Sequence, residues 1–426
     1  MSTTFVVSLG SNAIKIGLAG EDAPREVQIP VRGRMKDGNE ENFPLTHNAW
    51  GRGMTNPRVA KKYSIEDVMV RPEGMGTIHS YEGVAAMVAS YCAGVDRVGD
   101  AAKEIKGDTL IMSADSIAGN RSQMAKLAEM MFEGVGIGAL YCNDDAPFAL
   151  YGNGQTCGTV LDIGHGGTRV TPVNDANFVI RSDGIAQRSP VGGATQSMLM
   201  HHLLSKDAGL AKMGITFDAA ADMDNINDVN YFTPPMLEDV KMFRSACFPG
   251  VGGSGAETIT DEEYDLPDDR TVILTKEIRA ACGEVLFNPD SFTPPTATSI
   301  VATGVPRTSP LHLLDQYQQA VKKAAPEINK DLSYLLDSPV VVCGGATRTT
   351  NFQKRFEAEV AAKPSLSAFQ GGFKFAEDRM YSTFIGASIM GTLDGLSTMV
   401  ATREAYEEYG SSVSMMWGYP GAEKEE

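Results

Sequence analysis

The sequence predicts an α/β protein built from two related lobes. Near the N-terminus, apolar and polar residues alternate on both sides of a glycine turn, which predicts a hairpin of strands over Thr4–Leu9 and Ala13–Leu18. The stretch Thr159–Val173 repeats this arrangement, with a strand that enters a glycine-rich turn and a strand that leaves it. Repetition of one hairpin indicates two similar lobes, each presenting a turn to a shared cleft.

Two further segments follow the order strand, turn, helix, which is typical of α/β sheets. Thr109–Ala114 is a short apolar strand, and Asn120 is placed to cap the next helix, with Gln123 at the third position of a capping box. Pro339–Cys343 is a second apolar strand before a glycine turn and another helix. Apolar residues at helical spacing in these two helices are Met124, Leu127, Ala128 and Met131, and Phe352, Phe356 and Val360.

Length and composition narrow the function classes. A chain of 426 residues exceeds one compact core, and its 42% apolar and 21% charged residues are ordinary for a globular protein. A formal net charge of −17 argues against nucleic acid and against an anionic membrane surface as partners. We find no apolar run near the ~20 residues of a membrane span, and the first strand begins so early that we expect no signal peptide.

Cysteine and histidine patterns do not predict a metal enzyme. The six cysteines include no CxxC pair and lie mostly in apolar runs, so we expect reduced, buried thiols. The six histidines include no HExxH pattern, which leaves a zinc enzyme without support.

Polar and glycine-rich stretches predict surface loops. Arg34–Tyr63 and the aspartate-rich Asp207–Asn230 have the composition of inserted, mobile loops. Gly250–Glu263 is predicted to be a third flexible piece, and the tail Gly418–Glu426 is predicted to fray.

Several blocks of the chain resemble actins, in the actin order and at roughly actin spacing from Thr4 to Val413. Taken together they are highly specific, whereas one glycine-rich turn would be weak evidence. The blocks are Gly17–Arg25 (GLAGEDAPR), Tyr264–Phe292 (YDLPDDR and the following helix), Val342–Phe356 (VCGGATRTTNFQKRF), Glu377–Met390 (EDRMYSTFIGASIM) and Arg403–Val413 (REAYEEYGSSV).

The resemblance implies an actin-type two-lobed fold: duplicated RNase H-like mixed-sheet domains, four subdomains, and a cleft for ATP or ADP with Mg²⁺. It also implies where the subdomains divide. The implied units are a first-lobe core of 1–30, 72–152 and 382–426 with a small outer insertion of 31–71, and a second-lobe core of 153–190 and 309–381 with an outer insertion of 191–308.

The two hairpin turns are candidate phosphate-binding loops, because backbone N–H groups in tight glycine turns bind anions. Lys15, just past the first turn, matches the actin lysine that neutralises phosphate. The alternative is that these glycines only shape hairpins, and the matched pair with Lys15 favours phosphate binding. The candidate residues are Gly10, Ser11, Asn12 and Lys15, and Gly164, His165, Gly166 and Gly167.

The residues that hydrolysis would need are altered. The resemblance implies carboxylates on both hairpins that hold a cation through water, with a glutamine and a histidine orienting the attacking water. Asp162 keeps the second-hairpin carboxylate and is the candidate metal residue, whereas Ser8 replaces the first. Asp145 stands at the glutamine position, Arg169 at the histidine position, and His165 at a second acidic position.

These replacements predict slow or absent hydrolysis. Ser8 carries no charge for a hydrated cation, and Arg169 is permanently protonated and cannot act as a base. Arg169 is able to pair with phosphate or with Asp145, and Asp145 is able to replace part of the charge missing at Ser8. Two interpretations stay open: drift in a disused site, or a site retuned to hold nucleotide without cleaving it.

The nucleoside side of the predicted cleft is mixed. Lys241 matches a lysine that contacts nucleotide, and the turn Gly344, Gly345 and Ala346 matches the adenosine-binding turn. Met242 replaces a ribose-binding glutamate, and Met380 replaces a lysine that lies along adenine. Methionine packs against a base, so the sequence predicts weakened rather than abolished binding.

The resemblance leaves three functions to weigh. We favour a divergent structural subunit of a cytoskeletal or axonemal assembly, with other proteins, other actin-like subunits among them, as partners. A polymerising actin-type ATPase is the alternative, and a chromatin-complex subunit is a remote one. A sugar kinase of the same superfamily needs a carboxylate base at a sugar pocket, for which we find no signature. We expect the cytoplasm and cytoskeleton, with the flagellar axoneme as one candidate structure and the nucleus left open.

Overall fold

The computed structural model describes thirteen stretches of the chain. They contain eighteen strands and ten α-helices. The described residues are 3–35, 63–69, 76–95, 107–114, 120–174, 178–179, 185–207, 215–216, 229–230, 244–265, 271–293, 305–324 and 334–417.

The strands and helices alternate along much of the chain. The strands are β1 (Thr4–Ser8), β2 (Ile14–Leu18), β3 (Glu26–Gln28), β4 (Val31–Met35), β5 (Tyr63–Asp67), β6 (Thr109–Ser113), β7 (Ala139–Asn143), β8 (Gly158–Ile163), β9 (Thr168–Asn174), β10 (Phe178–Val179), β11 (Gln187–Ser189), β12 (Ile215–Thr216), β13 (Val229–Asn230), β14 (Glu262–Asp265), β15 (Thr271–Leu274), β16 (Val340–Cys343), β17 (Phe373–Phe375) and β18 (Ala401–Thr402). The helices are α1 (Tyr81–Val95), α2 (Arg121–Glu129), α3 (Asp145–Tyr151), α4 (Gly193–Leu204), α5 (Lys276–Glu284), α6 (Pro310–Ala324), α7 (Tyr334–Asp337), α8 (Phe352–Ala362), α9 (Ser382–Met390) and α10 (Arg403–Tyr409).

Two mixed sheets form the centres of the two lobes. The first has the strand order β18-β7-β6-β1-β2-β3, and the second has the order β10-β9-β8-β16-β17 with β11 paired to β9. In the first sheet, β1 runs antiparallel to β2 and parallel to β6. In the second sheet, β8 runs antiparallel to β9 and parallel to β16. The same local topology therefore surrounds both hairpins, which confirms the predicted two-lobed α/β fold.

Each sheet has its own apolar core. Phe5, Ile111 and Phe132 are buried in the first core, and Tyr317 and Phe356 are buried in the second. A third cluster lies between α4, α5 and the β14–β15 hairpin, in the part of the chain that the sequence assigns to the outer insertion of the second lobe. The residue boundaries of the four implied subdomains stay a prediction.

Helix α3 joins the two cores. Its Phe148 packs in the first-lobe core, whereas Ala146, Ala149 and Leu150 pack with Val160 and its neighbours beneath the second sheet. Burial on opposite sides of one short helix is possible because successive helical residues point about 100° apart.

Helices α3 and α9 approach each other at glycines. A Cβ atom added to Gly386 of α9 would overlap the carbonyl group of Phe148 in α3. A Cβ atom added to Gly152, just after α3, would lie 2.5 Å from the carbonyl oxygen of Ser382. The two helices therefore touch through their backbones, which only glycine at these positions permits.

The predicted helix boundaries are confirmed at Asn120 and around Phe352. The Asn120 side chain accepts a hydrogen bond of 3.1 Å from the backbone N–H of Gln123 and caps α2. The apolar residues predicted for α2 are buried, and the helix continues as a π-helix over Met130–Val135. In α8, Phe352 and Phe356 are buried as predicted.

The predicted surface loops are more structured at some positions than the sequence suggested. The prediction of a loop was wrong at the two ends of Arg34–Tyr63, because β4 and β5 pair there as an antiparallel hairpin. Residues 36–62 lie outside the described residues. Within Asp207–Asn230, β12 and β13 pair in parallel, and 208–214 and 217–228 lie outside the described residues. Gly250–Glu263 forms 3₁₀ turns at Val251–Gly253 and Ala256–Thr258, and the tail 418–426 is not described.

All six cysteines fall in described stretches as thiols outside any disulfide bond, and five of them are buried. Within the described stretches, no helix combines the length and the apolar character that crossing a bilayer would require.

Candidate functional site

One cleft lies between the lobes and brings together the predicted site residues that the structure describes. Lys241, with its neighbour Met242, lies outside the described residues, so its placement stays a prediction. The predicted residues that line the cleft are Ser8, Gly10, Ser11, Asn12, Lys15, Asp145, Asp162, Gly164, His165, Gly166, Gly167, Arg169, Gly344, Gly345, Ala346 and Met380.

The first turn connects β1 to β2. The backbone N–H of Leu9 donates to the carbonyl of Ser113 at 3.1 Å, which ties the turn to the end of β6. The turn is so tight that a Cβ atom at Gly10 would lie 2.7 Å from the carbonyl oxygen of Ala13. The backbone N–H groups of Gly10 and Ser11 donate no hydrogen bond to any residue that the structure describes. They are therefore available to an anion in the cleft.

The second turn is held by the start of α4. Gly164 donates to the carbonyl of Gly167 at 2.9 Å and closes the turn. The N–H of Gly193 donates to the carbonyl of Gly164 at 2.9 Å, and the N–H of Ala194 donates to the carbonyl of His165 at 2.8 Å. The first N–H groups of a helix lack partners inside the helix. Here they bind the turn and fix its position in the cleft.

Strand register places charged residues at equivalent positions of the two hairpins. Ser8 lies opposite Lys15 in the first hairpin, and Asp162 lies opposite Arg169 in the second. Ser8 is also the neighbour of Ser113 across the parallel pair β1–β6. Each strand thus ends at the cleft with a basic residue beside it, but only the second carries its own carboxylate.

Burial changes the protonation of the charged groups in the cleft. It lowers the pKa of Lys15, and the negative charges of Asp145 and Asp162 oppose that change. Burial raises the pKa of Asp145 to about 7; Asp162 and Asp144 add to this by repulsion, while the Ser113 hydroxyl and Lys15 oppose it. Burial also raises the pKa of Asp162 to about 6, against the attraction of Lys15. The attraction of Lys15 therefore does not offset burial and repulsion at the two carboxyl groups, and a bound cation would favour their charged forms further.

The end of the cleft that the sequence predicts to bind the nucleoside is formed by the turn after β16. Gly344 has a φ of +100° and donates its N–H to the carbonyl of Arg379 at 2.8 Å. The Arg379 guanidinium donates to the carbonyl of Thr347 at 3.2 Å, and the Arg348 guanidinium contacts the Met380 sulfur at 3.4 Å. Met380, which replaces a lysine in the predicted pattern, thus lies beside two cationic side chains.

Several residues line the cleft that the sequence did not indicate. Gln196 of α4 donates to the Thr349 hydroxyl at 3.0 Å, and both side chains are buried. The paired glycines before α4 were the one available signal, because such pairs mark a close backbone approach. The additional lining residues are Leu9, Ala13, Met69, Gly76, Ile78, Ala114, Gly193, Gln196, Thr349, Arg379 and Thr383.

These features define a class of protein: a two-lobed α/β clamp in which two equivalent hairpin turns face one cleft between duplicated sheets. Residues 1–415 match the family model described as Actin. The chain therefore belongs to the actin family.

Similar proteins include Actin-like protein 9 of two mammals. The chain is 25% identical to the Homo sapiens protein over 421 residues, covering 95% of this chain and 85% of the relative. It is 24% identical to the Bos taurus protein over 411 residues, with the same coverage of 95% and 85%. This chain is thus a divergent member of the family.

Members of the actin family generally bind ATP or ADP with Mg²⁺, and the cleft has groups that fit such a ligand. The Oδ1 atoms of Asn12 and Asp145 line it, are buried, and have no hydrogen-bond partner in the described part of the chain. Buried polar atoms without partners are rare in folded proteins, and a water, an ion or a ligand in the cleft would complete these two. No group of three or more His, Cys, Asp or Glu side chains among the described residues could hold a metal directly. The carboxylates of Asp145 and Asp162 in the cleft suit a hydrated cation beside phosphate, because Mg²⁺ prefers oxygen ligands and keeps several waters.

Proposed function

We propose that this protein is a divergent actin-like structural subunit of a cytoskeletal or axonemal assembly. In this proposal it holds ATP or ADP with Mg²⁺ between its lobes and hydrolyses ATP slowly or not at all. One observation carries the proposal. The cleft assembles both phosphate-type turns and Lys15, yet Ser8, Asp145 and Arg169 occupy the positions that hydrolysis would use.

Binding in this proposal depends on groups that the fold holds in place. The unpaired N–H groups of the first turn and the turn fixed by α4 face the polyphosphate, and Lys15 supplies positive charge. At the other end, Gly344 and Gly345 allow the nucleoside to approach the backbone, and Met380 packs against the base. Mg²⁺, when bound with the nucleotide, neutralises phosphate charge.

Weak hydrolysis follows from the chemistry of the replaced side chains. A water molecule attacks phosphorus readily only when a neighbouring group orients it and accepts its proton. The Arg169 guanidinium stays protonated, so it accepts no proton. The Asp145 carboxylate, when ionised, accepts hydrogen bonds but donates none, so it cannot hold water as an amide does.

The assembly role has a different basis. Actin-like proteins generally work in multi-subunit assemblies, and a nucleotide held without turnover suits a structural ligand. We propose a cytoplasmic or cytoskeletal location, with the axoneme as the more specific candidate. We also propose the lobe boundaries that the sequence implied, with first-lobe segments 1–30, 72–152 and 382–426. Imaging of a fluorescent fusion of the full chain tests the location directly. Absence of a signal at the axoneme would contradict the proposed axonemal location.

The nucleotide part is tested on the purified full-length protein. Denaturation followed by mass spectrometry of the released small molecules is expected to give ATP or ADP. Incubation with Mg-ATP is expected to release phosphate far below actin-like rates, under both low-salt and polymerising conditions. Phosphate release at actin-like rates upon filament formation would instead establish the alternative, a polymerising actin-type ATPase. The Lys15→Met variant is expected to purify with less nucleotide, because it loses the phosphate-facing charge.

A further inference from the structure

The first hairpin lacks a carboxylate at the cleft, but a neighbouring element brings one to the same place. Ser8, at the end of β1, is only 2% exposed and carries no charge. Its neighbour across the parallel pair β1–β6 is Ser113. Ser113 pairs in turn with Asn143 at the end of β7, and Asp145 follows two residues later as the first residue of α3. A carboxylate therefore lies just beyond β7, two strands from β1, and lines the same cleft as Ser8.

The Asp145 carboxylate is oriented for a ligand that the protein itself does not provide. Its Oδ1 atom is buried and has no hydrogen-bond partner among the described residues. Asp145 and Asp162 together line both the main cleft and a small cavity behind it, which Asp144 and Arg169 also line. Two carboxylates close together in a partly dehydrated site repel each other unless a cation lies between them.

We propose that Asp145 and Asp162 form the carboxylate pair that holds the divalent cation through its water molecules, and that Asp145 supplies the charge which Ser8 does not. The inference rests on the proposed function, since the cation accompanies the nucleotide there. Mg²⁺ prefers oxygen ligands and keeps several waters, so a pair of carboxylates at some distance suits it. Asp145 is thus a cation-binding residue. The carboxylate stands at the start of α3 in this protein, and not at the end of β1.

The pair also accounts for a cleft without a carboxylate on β1. Lys15 lies opposite Ser8 in the β1–β2 register and contributes a buried ammonium to the same cleft. An aspartate at position 8 would add a further negative charge to those of Asp145, Asp162 and the neighbouring Asp144. A serine there is neutral and keeps the charge of the pair close to that of one divalent cation.

Two measurements on the full chain test this inference. Loss of the free Mn²⁺ EPR signal gives the Mn²⁺ affinity with and without ATP, and calorimetry gives the ATP affinity in Mg²⁺ and in EDTA. We expect Asp145→Asn to weaken Mn²⁺ binding at least about tenfold and to remove the Mg²⁺-dependent part of the ATP affinity. Its ATP affinity in EDTA is expected to stay equal or rise, because a negative charge near phosphate is gone.

Matched variants separate charge from structure. Asp378→Asn makes the same chemical change at an exposed position outside the cleft lining and is expected to leave both affinities unchanged. Ser8→Asp combined with Asp145→Asn returns the charge to β1 and is expected to restore Mn²⁺ binding. A merely structural role for Asp145 would not allow this rescue.

The outcomes distinguish the inference from the proposed function. If Asp145→Asn binds ATP and Mn²⁺ as the unaltered protein does, the inference is overturned while nucleotide binding stands. If the unaltered protein binds ATP equally in Mg²⁺ and EDTA and binds no Mn²⁺, the inference is overturned together with the Mg²⁺ part of the proposed function, while nucleotide holding stands. If the unaltered protein binds neither ATP nor Mn²⁺, the inference and the proposed nucleotide binding are both overturned. Mn²⁺ binding that depends on Asp145 without any ATP binding supports the inference and overturns nucleotide holding.

Discussion

At the scale of single residues, Gly344 combines a backbone requirement with a close contact. Its φ of +100° is one that residues with a Cβ atom rarely adopt. A Cβ atom there would also overlap the Asp162 carboxylate and the carbonyl group of Ile163. The adenosine-type turn of one strand is thus packed directly on the phosphate-side carboxylate of the next. The two ends of the cleft that are proposed to bind the nucleoside and the cation are therefore joined through this one glycine.

We expect Gly344→Ala to lower the free energy of unfolding by about 2 kcal/mol or more, because it adds backbone strain and steric overlap. Nucleotide affinity should fall with it, since the overlap displaces Asp162. Urea denaturation followed by circular dichroism measures the first effect, and calorimetry the second. Gly345→Ala is the matched control, because a Cβ atom there meets nothing within 4 Å. Equal stability of the two variants would contradict the packing described.

The sequence indicated most of the candidate site at this scale, and the reasons are local. Turn residues such as Gly10 and Gly164 follow alternating apolar residues, a pattern that a short window contains. Gln196 and Thr349 gave no such signal, because their contact joins helix α4 to a turn 153 residues away in the chain. Such a contact arises from tertiary packing, which one sequence does not display.

At the scale of secondary-structure elements, the contact between α3 and α9 is unusually close. Backbone meets backbone at Gly386 and Gly152, so neither helix has a side chain between them at these positions. Phe384, Ala387 and Met390 of α9 pack in the first-lobe core. The two helices thus fix where α3 begins, and with it the position of Asp145 in the cleft.

We expect Gly386→Ala to destabilise the protein by at least about 2 kcal/mol. Overlap with the Phe148 carbonyl forces the helices apart, and this outweighs the usual gain of up to about 1 kcal/mol from replacing a helical glycine with alanine. Differential scanning calorimetry checks the loss as a lowered midpoint. Gly395→Ala, where an added Cβ atom meets nothing within 4 Å, is expected to change little. A Gly386→Ala protein with an unchanged midpoint would show that the helices separate freely.

Strands and helices were predicted well where apolar residues recur at a clear period, and poorly where the paired strands are short or polar. Both hairpins, α2 and α8 follow from alternating or helical apolar patterns. The β4–β5 hairpin was missed because its two strands lie at the ends of a polar, glycine-rich stretch. That composition predicted a loop from Arg34 onward. Strands β12 and β13 have two residues each, too few for any period to register.

At the scale of the whole molecule, the duplicated hairpin explains why one cleft serves two lobes. Each hairpin places its turn at the end of its own sheet, and both turns line the same cleft. The fold class followed from the sequence because the duplication is visible in the residues themselves. The relative placement of the outer insertions did not, since their residues carry weak patterns and pack through side chains distant in the chain.

A ligand that spans the cleft should protect both lobes together. We expect ATP with Mg²⁺ to slow amide hydrogen exchange at the first turn, at the second turn and around Gly344–Ala346. AMP lacks the terminal phosphates, so it should protect the Gly344 region and leave the two hairpin turns near their ligand-free rates. Exchange mass spectrometry on the full chain measures all three regions at once. Protection confined to one lobe with ATP would mean that the nucleotide does not bridge the turns.

The glycine contact between α3 and α9 also has a mechanical consequence. Side chains at an interface can exchange rotamers and let two bodies slide, whereas carbonyl groups packed against Cα atoms leave no such freedom. If the lobes rotate relative to each other, this contact is therefore their pivot, and its distance stays constant while the angle around it changes. A displacement of a fraction of an ångström at the phosphate turns would then become larger in proportion to the distance from the pivot. A binding partner at the outer edge of either lobe would therefore contact a surface whose tilt depends on the nucleotide.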